Sequence, residues 1–193
     1  ELLARGREFA EHILTDNFEM AQRKEGGRLL IDAWMSLNEP VPGPRSRQFA
    51  EKPDEVSRRL RAYDAFQVGF RNKLTERGIE AVAFNFGAGN FGMADDYWQF
   101  FRRTLDSYTY LGFHEYGWPA LSTTVDPEAA SSAGTYQPIV AELSRRSGRN
   151  YQAILTEAGL TMMYKHPDYE DKGWLHLPPA DRPIKAVTQE DYW

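Results

Sequence analysis

Residues 29–40 read Leu-Leu-Ile-Asp-Ala-Trp-Met-Ser-Leu-Asn-Glu-Pro, and this stretch decides how the rest of the chain is interpreted. The largely apolar run over 28–37 predicts a buried strand, because strands of a parallel sheet are covered on both faces. Pro40 ends the strand, since proline cannot donate to a sheet ladder. The strand therefore presents Asn38 and Glu39 at its carboxyl end.

A second stretch has the same form. Residues 153–159 read Ala-Ile-Leu-Thr-Glu-Ala-Gly, and we predict a strand over 151–156 that is ended by Glu157. Carboxyl ends of parallel strands meet at one face of a sheet or barrel, which is where active sites of parallel α/β barrels lie. Two strands that each present one carboxylate there predict the pair of acidic groups that glycoside hydrolysis requires.

Helices and strands alternate along the whole chain, which implies parallel strands joined by right-handed crossovers. Apolar periodicity and glycine or proline boundaries give the bounds of these elements. We predict helices over 1–24, 53–77, 94–107 and 138–147, strands over 79–86 and 108–116 besides the two above, and a helix that starts at 188. The long irregular stretch after Leu160 is typical of a functional loop over a site.

The amino-acid composition is that of a globular domain, and it gives no support to a nucleic-acid or membrane partner. With 41% hydrophobic and 26% charged residues in 193, the chain is an ordinary globular domain or a large part of one. A net charge of -5 gives no support to nucleic-acid binding. No apolar run approaches the roughly 20 residues that span a bilayer, so no membrane partner is predicted. The absence of cysteine excludes disulfides and thiolate chemistry but sets no compartment.

The motifs together resemble those of a known family. Residues 34–40, Trp-Met-Ser-Leu-Asn-Glu-Pro, resemble the fourth-strand signature of the clan A retaining glycoside hydrolases. Residues 113–116, Phe-His-Glu-Tyr, are similar to the His-x-Tyr pattern that ends the sixth strand in cellulase-like members. Residues 155–157, Leu-Thr-Glu, resemble the seventh-strand segment that carries the nucleophile. The resemblance implies a (β/α)₈ TIM barrel, of which this chain, over 1–193, holds strands four to seven.

The resemblance also implies roles for individual residues. Glu39 corresponds to the acid/base and Glu157 to the nucleophile of a double displacement on a β-linked glycan or glycoside. Tyr116 corresponds to the hydrogen-bond donor to the nucleophile, and Asn38 to the contact with the sugar 2-hydroxyl. His114 corresponds to a substrate-contacting histidine, with a purely structural histidine as the alternative. Chemistry adds that the acid must start protonated and the nucleophile ionised.

Four further positions carry weaker expectations. Asn85 and Asn90 follow the strand over 79–86, where they would line sugar subsites. Trp118 is a candidate stacking platform for a sugar ring, with plain packing as the alternative. Glu115 should point to the opposite face of its strand from His114, because side chains alternate along a strand.

The resemblance implies no metal or organic cofactor and a carbohydrate substrate. A complete barrel needs about 250 residues and eight strands, so we expect this chain to be part of a longer enzyme and, alone, to be poorly soluble and inactive. A half-barrel that pairs with something else is the alternative explanation. One alternative is a catalytically inactive carbohydrate-binding barrel. Another is a metal-dependent barrel hydrolase that uses His114, Glu115 and Glu157. Secretion would fit a polysaccharide-degrading enzyme only by analogy.

Overall fold

A parallel four-stranded sheet with helices against it forms the part of the chain that the computed structural model describes, residues 1–41, 43, 50–87, 96–117 and 134–160. The helices are α1 (Leu2–Asp16), α2 (Phe18–Gln22), α3 (Pro53–Thr75), α4 (Arg102–Ser107) and α5 (Tyr136–Ser147), with a 3₁₀ helix over Asp96–Phe101 before α4. The strands are β1 (Lys24–Glu25), β2 (Arg28–Leu29), β3 (Ala33–Met35), β4 (Glu80–Gly87), β5 (Tyr110–Gly117) and β6 (Gln152–Leu160).

The four predicted strands are the four strands of this sheet. They lie in the order β3-β4-β5-β6, and each neighbouring pair is parallel. The fold is therefore mixed α/β with a curled parallel sheet, which is compatible with part of a TIM barrel. None of the helices in the described ranges is long and apolar enough to cross a membrane.

The start of the chain differs from the prediction. Gly26 and Gly27 have φ of +58° and +83°, and two successive residues with positive φ form the tight turn of a β-hairpin. β1 and β2 are accordingly antiparallel, and the predicted strand over 28–37 is divided between β2 and the short β3. Leu30, which we expected to be buried in that strand, is 46% exposed.

The ends of other helices and strands also differ from the prediction. The predicted helix over 1–24 breaks at Asn17, whose side-chain amide and backbone N–H both donate to the Ile13 carbonyl and so close the end of α1. The helix over 94–107 begins as a 3₁₀ helix in its described part. β6 continues to Leu160, so Glu157 lies within the strand rather than after it. The predicted helix start at 188 falls outside the described residues.

An aromatic cluster fills the space between β4 and the helices. The Phe84 and Phe101 ring centroids lie 5.1 Å apart, and those of Phe86 and Phe101 lie 5.5 Å apart. Tyr63 of α3 meets Phe101 edge-on, and Trp98 meets Phe84 the same way. Such tilted arrangements are favoured by the ring quadrupole. The cluster fixes α3 and the 3₁₀ helix against the strand that leads to the candidate site.

Helices α1 and α3 cross with their backbones in contact. A Cβ at Gly6 would overlap the Phe66 carbonyl oxygen, and a Cβ at Gly69 would overlap the Leu3 carbonyl oxygen. Glycine is required at both positions because only a missing side chain permits this approach. The sequence also predicts one buried face on α3, because six of its residues follow one another at spacings of three and four. All six are buried: Val56, Leu60, Tyr63, Gln67, Phe70 and Leu74.

Candidate active site

The two faces of β5 have different partners. Leu111 and Phe113 have no exposed surface, and the Phe113 ring lies 6.2 Å from the Tyr136 ring of α5, so these residues face the helices. Because side chains alternate along a strand, His114 and Tyr116 face the other side of the sheet. We call that side the inner face.

A bulge in β6 brings Glu157 onto the inner face. Phe113 pairs with Leu155, but His114 pairs with Glu157, so Thr156 is an extra residue in the ladder. In a regular register His114 would pair with Thr156, and Glu157 would face the helices as Glu115 does. The Thr156 hydroxyl donates to the Phe113 carbonyl at 3.3 Å. Bulges re-aim side chains in this way near active sites.

A second bulge lies in β4. Phe84 pairs with Gly112 and Phe86 with Phe113, which leaves Asn85 as the extra residue. Phe84 and Asn85 have φ of +76° and +54°, so the backbone turns sharply at this point. The Asn85 side chain has no exposed surface, and its Nδ2 donates to the Leu37 carbonyl at 3.3 Å.

Glu39 lies in a strained backbone conformation at the end of the segment that follows β3. Its φ is +40°, in the left-handed region that non-glycine residues seldom adopt. Its N–H donates to the Asn85 carbonyl at 3.2 Å. Strained residues of this kind cluster at functional sites. The Glu39 side chain is 48% exposed, so its carboxyl group is open to a substrate.

The structure brings the two glutamates together around one imidazole ring. His114 Nδ1 lies 2.8 Å from Glu39 Oε1 and 3.6 Å from Glu157 Oε2. Two carboxyl oxygens face Nδ1, so the tautomer with the ring proton on that nitrogen can donate a hydrogen bond to Glu39. The His114 side chain is only 1% exposed, whereas Glu157 is 40% exposed. His114 thus forms the buried floor between two accessible carboxyl groups.

Tyr116 contacts Glu157, which is the contact that the family resemblance implied. Its hydroxyl donates to Glu157 Oε2 at 2.5 Å, a short hydrogen bond of the kind made to charged acceptors. This hydrogen bond, burial and the charges of the two glutamates raise the pKa of Tyr116 to about 12. Tyr116 is therefore protonated at neutral pH and can act as a hydrogen-bond donor.

Glu115 points away from this group, as predicted. Its carboxylate accepts the backbone N–H groups of Thr135 at 3.2 Å and Tyr136 at 2.8 Å, at the start of α5. Burial raises the pKa of Glu115 to about 7, although the two hydrogen bonds act in the opposite direction. Within the described ranges no group of three or more His, Asp or Glu side chains could hold a metal ion.

A buried polar network supports the site from the helix side, and the sequence analysis missed it. The Tyr63 hydroxyl donates to the Phe84 carbonyl at 3.1 Å, and Gln67 Nε2 donates to the Ser36 hydroxyl at 2.9 Å. Gln67 also contacts Tyr63 and accepts from the Tyr108 hydroxyl at 2.9 Å. A glutamine on the apolar stripe of α3 was the available signal, because buried polar groups require partners.

The remaining predicted residues are placed as follows. Asn38 is exposed beside Glu39. Asn85, which we expected to line a sugar subsite, is buried instead. Trp118 and Asn90 lie outside the described residues, and so does the stretch over 161–193.

Comparison with known proteins gives little more. No protein-family model and no curated protein matches the chain. Among solved structures, the GH39 enzyme from Xanthomonas axonopodis pv. citri is similar with a TM-score of 0.48 and 14% sequence identity, over 83% of this chain and 30% of that one. The chain thus spans about a third of the length of that enzyme. A likeness this weak carries no argument about the fold or the activity of this chain.

Proposed function

We propose that the protein is a retaining glycoside hydrolase that acts on a β-linked glycan or glycoside. One observation carries the proposal: Glu39 and Glu157 reach the same face of the sheet and flank one His114 nitrogen at 2.8 and 3.6 Å. The four-stranded sheet would be strands four to seven of a (β/α)₈ barrel. The active site would lie at the carboxyl ends of these strands, as in other barrels of this architecture.

The retaining mechanism is taken from the resemblance, in which Glu39 corresponds to the acid/base and Glu157 to the nucleophile. Retaining enzymes hold their two carboxyl groups about 5–5.5 Å apart, whereas inverting enzymes hold theirs about 6.5–9.5 Å apart with a water molecule between them. The contacts of Glu39 and Glu157 with the same His114 nitrogen are compatible with a retaining pair.

The proposed reaction assigns each contact a step. A Glu157 oxygen attacks the anomeric carbon while Glu39 donates its proton to the leaving oxygen, and the glycosidic bond breaks. Glu39, now a carboxylate, takes a proton from water, which attacks the same carbon and releases Glu157. Tyr116 orients Glu157 throughout. His114 Nδ1–H can donate to Glu39 Oε1 in both protonation states, which leaves Oε2 to carry the transferred proton.

Azide rescue tests the reaction and both roles. A panel of 4-nitrophenyl β-D-glycosides is offered to the complete barrel enzyme to which, on this proposal, the four strands belong, and to its Glu39→Ala and Glu157→Ala variants. The complete enzyme without substitutions is the native protein of the experiments below. We expect Glu39→Ala to lose about 10²–10⁴-fold in activity and azide to restore turnover with a β-glycosyl azide as product. With Glu157→Ala, azide takes the place of the nucleophile and gives the α-glycosyl azide. The matched control is Glu142→Ala, which removes a partly exposed carboxylate on α5 that pairs with Arg145.

Each other outcome has a defined meaning. The same azide anomer from both variants would refute the assignment of roles. Saturable binding of oligosaccharides by the native protein without any hydrolysis would identify an inactive carbohydrate-binding barrel instead. Activity lost on addition of a chelator would favour a metal-dependent hydrolase. Absence of both binding and turnover would overturn the proposed function.

A further inference from the structure

Asn85 makes two hydrogen bonds that bracket the segment carrying Glu39. Its side-chain Nδ2 donates to the Leu37 carbonyl at 3.3 Å, and its backbone carbonyl accepts the Glu39 N–H at 3.2 Å. The residues on both sides of Asn38 are thus held by a single residue of the neighbouring strand. No other described backbone hydrogen bond between separate elements reaches Glu39.

The conformation at Asn85 suits this role. Its φ of +54° is one that asparagine tolerates better than other side chains do. Phe84, directly before it, has φ of +76°, and its carbonyl is fixed by the Tyr63 hydroxyl at 3.1 Å. Tyr63 of α3 therefore fixes the bulge from the helix side of the sheet. The Asn85 amide lies on the inner face, against Gly112.

Gly112 of β5 leaves the room for this amide. A Cβ at Gly112 would overlap Asn85 Oδ1, and it would lie 3.0 Å from Val82 Cγ1. Asn85 Oδ1 is itself buried without a hydrogen-bond partner. A buried unpaired acceptor costs free energy and calls for an explanation. The Asn85 amide lies between Gly112 of β5 and the Leu37 carbonyl after β3. The unpaired acceptor is explained if the amide is oriented to hold residues 37–39 in place rather than to stabilise the fold.

We propose that Asn85, seated against Gly112, is the positioning residue of Glu39, and that it acts through the backbone of residues 37–39 without touching the sugar. This proposal rests on the proposed function, in which Glu39 is the acid/base. It replaces the expectation that Asn85 lines a subsite, because a side chain with no exposed surface does not meet a substrate.

The test compares substrates that need the acid with substrates that do not. The 2,4-dinitrophenolate group leaves its β-glycoside without being protonated. The 4-methoxyphenolate group of a β-glycoside of the same sugar is a poor leaving group and needs a proton from the acid. Asn85→Gly keeps the backbone carbonyl and the positive φ but removes the amide. We expect kcat/KM to fall about 10–100-fold for the poor leaving group and to stay within roughly threefold for the good one. Gly112→Ala should give the same pattern by displacing the amide from the other side.

Thr104→Val is the matched control, because it removes a buried hydroxyl hydrogen bond to the Asp64 carbonyl on the helix side. A protein that is only destabilised loses activity equally on both substrates. Thr104→Val should show such equal losses. Equal losses in Asn85→Gly, or no loss at all, would overturn the proposal. An equal loss accompanied by a raised KM would mean that Asn85 binds the sugar.

A second readout does not depend on activity. The Glu39 amide hydrogen, bonded to the Asn85 carbonyl, should exchange with solvent at least about tenfold faster in Asn85→Gly and in Gly112→Ala than in the native protein. Thr104→Val should leave this rate unchanged. If the native protein hydrolyses neither substrate, the proposed function fails, and the exchange rates still decide whether Asn85 positions Glu39. Unchanged exchange in both variants would overturn the positioning.

Discussion

Replacement of Glu115 by glutamine should change how the stability of the protein depends on pH. Glu115 is 1% exposed, and its carboxyl group accepts two backbone N–H groups at the start of α5. Burial is the larger influence and raises its pKa from 4.5 to about 7. Between these two values the unfolded chain carries an ionised Glu115 while the folded protein carries a protonated one, so folding takes up a proton.

The sign and size follow from this difference. The contribution of Glu115 to the free energy of unfolding is fully present below pH 4.5 and is lost as the pH rises through about 7. One pKa unit corresponds to about 1.4 kcal/mol, so the loss between pH 4 and pH 8 amounts to about 3 kcal/mol. Glutamine cannot ionise. It keeps one accepting oxygen and places an NH₂ group where the second oxygen was, at a cost that does not depend on pH. The stability of Glu115→Gln relative to that of the native protein should therefore rise by about 3 kcal/mol between pH 5 and pH 8.

Urea unfolding followed by tryptophan fluorescence at pH 5, 6, 7 and 8 measures this difference. Glu142→Gln is the control, because hydrogen bonds from Arg145 and Arg146 lower the pKa of that carboxyl group to about 2. Its profile should run parallel to the native one over this pH range. Parallel profiles for native protein and Glu115→Gln would refute the reasoning, since the two N–H hydrogen bonds would then keep Glu115 ionised throughout.

Three further changes have defined outcomes. Deletion of Thr156 should restore a regular ladder and turn Glu157 toward the helices, so hydrolysis should disappear while Thr156→Ala retains it; equal activity of the two variants would contradict the role of the bulge. Tyr116→Phe should lower kcat/KM about 10- to 100-fold, because it removes one hydrogen bond to an ionised nucleophile; steady-state kinetics with a 4-nitrophenyl glycoside measure it. Gly69→Ala forces the new Cβ into the Leu3 carbonyl and should cost roughly 2 kcal/mol. A melting temperature within one degree of the native value would refute that contact.

The sequence predicted the framework of the fold well. The alternation of helical and strand patterns along the chain located all four strands of the parallel sheet. The stripe of α3 from Val56 to Leu74 is buried as expected. These features depend on local apolar patterns, which each segment carries by itself. The contact between Tyr116 and Glu157 was also expected, although it came from family resemblance rather than from any local pattern.

The details of the site could not be read in the same way. Thr156 and Asn85 are bulge residues because of how neighbouring strands pair, and no periodicity within one strand reveals that. Alternation in β6 alone would have turned Glu157 away from His114. Gly26 and Gly27 were interpreted as the end of a helix, whereas their positive φ values form a hairpin turn. In each case the conformation is fixed by a partner segment distant in sequence.

The two bulges also bear on which changes the protein can accumulate over evolutionary time. β5 runs straight between β4 and β6, and each neighbour carries one residue more than β5 does in the paired region. Many side chains along these strands can be exchanged without moving a glutamate. The insertion or loss of one codon in β4 or β6 shifts a whole strand end by one position. Strand length, more than strand composition, is therefore the property that selection must preserve here.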